Sequence, residues 1–204
     1  NMSFFDQYRA RLCEVLEGLE VTDRGGAAIE TEWAFDEISR MTSMVQQHNR
    51  CMYFAGNGAS AAMAGHMALD FAKNGRVRAH CFNDSAAVTA LGNDLGYDHI
   101  FDQPIRWHGR AGDMLAVITS SGTSRNVLNA VEVARDLDLS VITFTGLNAD
   151  NPCRQLGDLN FYIDAKSYGI VECAHQVLLH GWLDRFLGHA EWVMSEAQNM
   201  RIAD

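Results

Sequence analysis

His66 and Asp70 stand four residues apart in a segment of helical pattern, which puts both side chains on one face. An imidazole and a carboxylate so placed can hold a divalent metal or pass a proton to and from a bound substrate. The bland alternative is a hydrogen-bonded histidine beside a solvent-facing carboxylate. A second group, Glu172, His175 and His180, lies among Val171, Val177, Leu178, Leu179 and Trp182 in another helical pattern. Acidic and imidazole groups in such an apolar run need partners if buried, and metal ligation or catalysis provides them. Glu172 and His180 are eight residues apart, roughly 12 Å along a helix axis, so a shared ion demands long reaches. Glu172 with His175, three residues apart, is the sterically easier alternative.

Two loops have the chemistry of an anion cradle. The apolar run ending in Phe54-Ala55 leads into Gly56-Asn57-Gly58-Ala59-Ser60, and the run Met114 to Ile118 leads into Thr119-Ser120-Ser121-Gly122-Thr123-Ser124. A helical pattern follows each. Glycine permits close approach of the backbone to a ligand, and the first helical turn presents free N–H groups reinforced by the helix dipole. Either loop alone reads equally well as a strand-to-helix turn with an N-cap hydroxyl. Gly92-Asn93-Asp94-Leu95-Gly96-Tyr97 offers an Asp for sugar hydroxyls or, more plainly, a helix C-terminal turn. Lys166-Ser167-Tyr168 is a capped loop whose lysine could meet a phosphate.

The elements that must position these groups alternate along the chain. Strands are predicted near Cys51–Ala55, Val77–Phe82, Met114–Ile118, Ser140–Thr145 and Leu159–Ile163. Helices are predicted over Ser60–Lys73, Ser85–Leu91, Asn126–Arg135 and Ile170–Leu187. Strands separated by helices of this length form βαβ units. These build a parallel sheet covered on both faces, with ligands at the strand carboxyl ends where the topology switches. The first 50 residues read as two helices broken at Asp23-Arg24-Gly25-Gly26. Phe5, Tyr8, Leu12, Val15, Leu16 and Leu19 mark the apolar face of one, and Ile29, Trp33, Ile38, Met41 and Val45 that of the other. Those faces exceed what a small sheet domain can cover and predict burial against other subunits.

At 204 residues, 48% hydrophobic and 21% charged, the chain suits one α/β domain. Its net charge of −10 excludes non-specific binding to nucleic acid or to an anionic membrane, which draws on accumulated Lys and Arg. A phosphate must then rest on backbone donors and hydroxyls. Neither a spanning segment nor a signal peptide is legible, which predicts a cytoplasmic protein. Cys13, Cys51, Cys81, Cys153 and Cys173 are odd in number and lack a CxxC pair, as expected of reduced core thiols.

Taken in order, Gly56-Asn57-Gly58-Ala59-Ser60 with His66 and Asp70, Gly92-Asn93-Asp94-Leu95-Gly96-Tyr97, Thr119 to Ser124, and Glu172 with His180 resemble the sugar isomerase (SIS) domain. Within it they are most similar to the bacterial phosphoheptose isomerases. The resemblance implies a three-layer α/β sandwich around a five-stranded parallel sheet, with extra N-terminal helices over about residues 1–50 of a single domain spanning 1–204. It also implies a homotetramer with active sites between subunits and the N-terminal helices in its core. The implied reaction interconverts sedoheptulose 7-phosphate and D-glycero-D-manno-heptose 7-phosphate; the alternative is a non-catalytic, phosphosugar-binding or protein-binding SIS tetramer. By the same resemblance Asn57, Gly58, Ser60, Asn93, Asp94, Thr119, Ser120, Ser121 and Ser124 bind the substrate and its phosphate. His66, Asp70, Glu172 and His180 hold one zinc ion, with Asp70, Glu172 and His180 also catalytic. Asp70 falls where the family has a glutamate and Glu172 where it has a glutamine, so either carboxylate can serve as the base. The chain also departs from the family after Asp70. Lys73-Asn74-Gly75-Arg76 is a shortened connection without the arginine usual soon after the carboxylate, which leaves the sugar open.

Overall fold

The computed structural model describes residues 2–188; residues 1 and 189–204 of the expected 1–204 span lie outside the described residues. The elements are α1 (Phe4–Glu17), β1 (Glu20–Asp23), β2 (Ala28–Ile29), α2 (Thr31–Gln47), β3 (Cys51–Gly56), α3 (Ala59–Lys73), β4 (Arg78–Cys81) and α4 (Ser85–Asp94). They continue with α5 (Asp102–His108), β5 (Met114–Thr119), α6 (Arg125–Asp136), β6 (Ser140–Gly146), β7 (Leu159–Ile163) and α7 (Tyr168–Leu187). Short 3-10 turns occupy Tyr97–His99 and Pro152–Gln155.

The strands form one sheet in the order β2-β1-β7-β6-β5-β3-β4. The five strands from β3 to β7 are mutually parallel, as expected, while β1 and β2 add an antiparallel hairpin on the β7 edge. From β3 the chain runs outward to β4, then returns to start β5 on the other side of β3 and continues through β6 to β7. The topology therefore reverses between β3 and β5, and in open α/β sheets this is where the strand carboxyl ends leave a crevice.

Alternation along the central strands assigns the two layers. Met52 and Phe54 of β3, with Met114, Ala116 and Ile118 of β5, face a core shared with α1, α2, α3 and α7. Cys51, Tyr53 and Ala55, with Leu115 and Val117, face a second core shared with α4, α5 and α6. Every residue of β3, β5 and β7 is buried, which is why these strands read as continuous apolar runs. The first core is centred on aromatic rings: Phe54, Phe71 and Phe144 each lie 4.7 to 6.2 Å from Trp182, and Phe144 stacks on Phe161 at 5.0 Å. Trp182 Nε1–H donates to Thr42 Oγ1 at 2.9 Å, and Thr42 in turn donates to Ile38 O at 2.8 Å. This chain of bonds ties α7 to α2 without an unpaired buried indole.

Between the two N-terminal helices the chain forms the β1–β2 hairpin instead of a plain break. Asp23 Oδ1 accepts from the Gly25 and Ala27 amides at 2.8 and 2.9 Å, and Gly26 takes a positive φ of 81°. A side-chain cap on an Asp-Arg-Gly-Gly turn favours a hairpin over a helical break. Two of the five free cysteines, Cys13 and Cys173, are exposed, so the expectation of core thiols holds for Cys51 and Cys153 only, Cys81 being half-buried. No described helix is long and apolar enough to cross a membrane.

Trp182→Ala removes the ring that joins α7 to the sheet and to α2, and should lower stability by about 3–5 kcal/mol. Trp182→Phe, which leaves Thr42 Oγ1 without its donor but keeps most of the packing, should cost about 1–2 kcal/mol. Urea unfolding followed by far-UV circular dichroism measures both; near-equal midpoints for Trp182→Ala and the parent protein would refute this role.

Candidate active site

β3 and β5 pair directly, with Gly56 opposite Ile118. A Cβ on Gly56 would lie 2.7 Å from Ile118 O and 2.7 Å from Ser60 Cβ, so only glycine lets α3 turn off β3 so close to the neighbouring strand. α3 and α6 start one on each side of the switch point, capped by Gly58 and Ser124, and neither receives a side-chain cap bond. In α3 the Ser60 and Ala61 amides turn back to Asn57 O and Gly58 O at 3.0 Å, so the amides left for an anion are those of Gly58 and Ala59 and, in α6, of Arg125 and Asn126.

Hydroxyls line the same crevice. Ser60, Thr119 and Ser120 are buried, while Ser121 and Ser124 are half-buried. The β5–α6 loop is held in shape by Gly122 N–H donating to Thr119 Oγ1 at 3.2 Å and by Thr123 Oγ1 donating to Ser121 Oγ at 3.1 Å. Gly122 has a φ of 65°, and a Cβ there would fall 1.8 Å from Asn151 Oδ1, so this turn admits no side chain. The two loops are joined by an exchange of amide bonds. Asn57 Nδ2 donates to Asn126 Oδ1 at 2.9 Å, Asn126 Nδ2 donates to Asn57 Oδ1 at 3.0 Å, and the Tyr97 hydroxyl donates to Asn57 Oδ1 at 3.1 Å. A cavity of ≈ 320 Å³ opens beside Gly56, Asn57 and Gly58, walled by Asn83, Val88 and Tyr97. A larger one, ≈ 520 Å³, lies at the amino ends of the strands against Trp33, Met41, Met44 and Leu159, and borders none of the residues with candidate chemistry.

His66 and Asp70 on α3 meet His180 on α7. Their ligand atoms lie within 4.8 Å of one another, and among the described residues they are the one group of His, Cys, Asp or Glu so placed. His66 Nε2 is 3.2 Å from Asp70 Oδ2, and the His66 and His180 rings are 5.2 Å apart, edge to face. Two imidazoles and a carboxylate are a donor set that suits zinc, and three protein ligands leave a position for substrate or water. Glu172 does not join this cluster. It lies two turns nearer the start of α7, beside α1, where the Tyr8 phenol is raised above its ordinary value first by its hydrogen bond to Cys173 and least by the Glu172 carboxylate.

Other expected positions fall elsewhere. Asn93 and Asp94 end α4 in the plain C-terminal manner, exposed, with Asn93 Nδ2 donating to Asp94 Oδ1 at 2.8 Å. Lys166 is exposed, donating to Leu147 O at 2.9 Å with Asp164 Oδ1 at 3.4 Å. His175 does not replace His180: it is fully buried against β6, its Nε2 3.0 Å from Thr145 O and its Nδ1 without a partner. Because a carbonyl only accepts, Nε2 carries the proton, and burial holds His175 neutral with its pKa lowered to about 4.

Residues 20–146 match the family model for the SIS domain. This chain belongs to the SIS-domain family. It is 35% identical over 139 residues to a phosphoheptose isomerase of Neisseria gonorrhoeae, a match covering 63% of this chain and 70% of the relative. With a phosphoheptose isomerase of Streptomyces coelicolor it shares 31% identity over 174 residues, covering 82% and 73%. The solved structure of phosphoheptose isomerase from Neisseria gonorrhoeae superposes with a TM-score of 0.75 at 29% identity, covering 89% of this chain and 94% of that one. These isomerases belong to the SIS family as this chain does, so the two loops and the histidine cluster lie in a scaffold shared with sugar-phosphate enzymes. Asn126 is the site neighbour that motif reading passes over, and Tyr97, the last residue of the motif over 92–97, carries no role in that reading. The signal for Asn126 is a poor helix former in the first turn of α6, two residues after the last loop hydroxyl.

His175 yields a pH test. Its pKa falls from 6.5 in the unfolded chain to about 4 in the fold, so the unfolded state binds the extra proton between those values. Stability contributed by neutral His175 is complete above pH 6.5 and is lost as pH falls towards 4, by about 3 kcal/mol at most. Urea midpoints measured across this range should decline for the parent protein and decline less for His175→Gln; parallel curves would show that other groups carry the acid sensitivity.

Proposed function

We propose that this protein is an aldose–ketose isomerase acting on sedoheptulose 7-phosphate, and that its chain works as one SIS unit. The observation that carries the reading is the convergence of His66, Asp70 and His180 in a scaffold whose two anion loops flank the β3–β5 switch point. The phosphate rests on the hydroxyls of Ser60, Thr119, Ser120, Ser121 and Ser124 and on the amides of Gly58, Ala59, Arg125 and Asn126. Asn57 faces the sugar, while Asn93 and Asp94, at the exposed end of α4, take no part in holding it.

His66, Asp70 and His180 hold a zinc ion, which when bound polarises the substrate's carbonyl oxygen. Asp70, already paired with His66, serves as a ligand, and this leaves Glu172 as the base, supplied to the site by a neighbouring copy because within one chain it stands two turns of α7 from His180. In the forward direction the Glu172 carboxylate takes a proton from the hydroxymethyl carbon next to the ketone and returns it to the former carbonyl carbon. His180 moves the proton between the two oxygens of the enediol. Proton count is unchanged over the cycle, as an isomerisation requires.

Four copies assemble, with sites completed between them. Phe4 and Phe5 are 81% and 70% exposed on α1, and Leu69 and Val177, beside His66 and His180 in sequence, are 61% and 47% exposed. Apolar side chains next to a polar cluster are the expected rim of a site that a second copy covers. Five free cysteines fit a reducing cytoplasm. The net charge of −10 speaks against nucleic acid or an anionic membrane as a partner.

Three measurements bear on this reading. With sedoheptulose 7-phosphate in deuterated water, NMR should show deuterium entering the substrate and the aldose accumulating. Glu172→Gln should reduce exchange by about 10³-fold or more. If instead Glu172→Gln exchanges normally and Asp70→Asn does not, the base is Asp70; no exchange despite binding would favour a sensing or scaffold role. Protein purified without chelator should carry close to one zinc per chain, and His66→Ala should lose it; under about a tenth of an equivalent, even after adding zinc, removes the metal. Light scattering should give four copies, and a monomer at micromolar concentration would exclude sites between subunits.

A further inference from the structure

The reciprocal amide pair between Asn57 and Asn126 has no part in the steps above, yet it is the direct side-chain link between the two anion loops. Asn57 ends the β3 turn, and Asn126 sits in the first turn of α6 with only 2% of its surface exposed. Helix propensity does not account for an asparagine there. A buried carboxamide needs both its donor and its acceptor satisfied, and Asn57 satisfies both, at 2.9 and 3.0 Å. The Tyr97 hydroxyl, reaching over from the turn after α4, adds a third bond at 3.1 Å to Asn57 Oδ1. With Oδ1 accepting two bonds and Nδ2 donating one, the Asn57 carboxamide has one N–H left to offer a ligand, and its direction is fixed.

We propose that Asn126, assisted by Tyr97, is a positioning residue that acts through Asn57: it locks the β3–α3 and β5–α6 loops at the separation that fits one phosphorylated sugar, and aims the free Asn57 N–H at that ligand. The proposal rests on the isomerase reading for its substrate. The lock itself is a property of the loops and is measurable without any ligand. Because Asn126 does not touch the reacting carbons, its loss weakens substrate capture and leaves the chemical step intact.

The test combines kinetics with hydrogen exchange on the full-length, metal-loaded protein. Asn126→Ala should raise KM for sedoheptulose 7-phosphate about tenfold while kcat stays within about twofold. Asn126→Asp, which still accepts from Asn57 Nδ2 but cannot donate to Oδ1, should fall between. Tyr97→Phe, an exposed and foldable change, should raise KM about threefold. In an Asn57→Ala background, adding Asn126→Ala should change KM by less than about twofold, because the path through Asn57 is already cut. Amide exchange in the unliganded protein should speed up in residues 57–61 and 119–124 of Asn126→Ala and of Tyr97→Phe, and stay unchanged in β6 and β7. Additive KM effects in the double variant, a fall in kcat as large as the rise in KM, or unaltered exchange in both loops would each overturn the proposal. If the parent protein neither binds nor converts sedoheptulose 7-phosphate, the isomerase reading fails, and the exchange experiment alone still decides whether the lock exists.

Discussion

The direct pairing of β3 with β5 governs the rest of the molecule. Two strands far apart in sequence become neighbours, and because the chain leaves them in opposite directions across the sheet, their carboxyl-end loops are not crossed by a connection. Gly56 opposite Ile118 permits the pairing to persist to the last residue of β3, since any Cβ there would strike the neighbouring strand's backbone. The starts of α3 and α6, the hydroxyl loop and the asparagine exchange all inherit their spacing from this contact. Even the histidine cluster depends on it, because His66 and Asp70 lie at fixed turns along the helix that Gly56 launches.

The electrostatics follow from the same arrangement. A chain of net charge −10 can bind an anion where the donors are neutral and already aimed. Backbone amides and serine hydroxyls carry no long-range field, so they do not recruit nucleic acid, yet at hydrogen-bond distance they replace the water that a phosphate loses. The histidine cluster and its carboxylate lie further along α3, on the face that meets α7. The hydroxyl and amide donors and the imidazole–carboxylate cluster thereby stand at different turns of one helix.

Much of this was legible in the sequence, and what was not has identifiable reasons. The strands buried on both faces announced themselves as apolar runs, and the positions of the glycine loop and the hydroxyl loop followed from where those runs ended. His66 and Asp70 were readable from helical spacing alone, while their meeting with His180 depended on how α3 and α7 pack. Glu172 shares a helix with His180, but spacing along an axis says nothing of which neighbouring element each turn meets. The β1–β2 hairpin escaped notice because strands of four and two residues are too short to show alternation, and its signal lay in the turn chemistry of Asp23 to Gly26. Helix α5 was missed as well, being seven residues long. His175 and His180 looked alike as letters, and only the carbonyl of Thr145 separates the buried neutral ring from the accessible one.

The two margins of the sheet are treated differently. On one side the hairpin of β1 and β2 runs antiparallel to β7 and ends the sheet in a strand of only two residues. On the other, β4 is four residues long, with Arg78 and His80 exposed and alternating with the buried Ala79. A parallel sheet with a long apolar margin would be a template for adding strands from another chain, and so for aggregation during folding. Here one margin is too short to template anything and the other presents the charged Arg78 and the polar His80. The sheet is thus closed to edge-on growth.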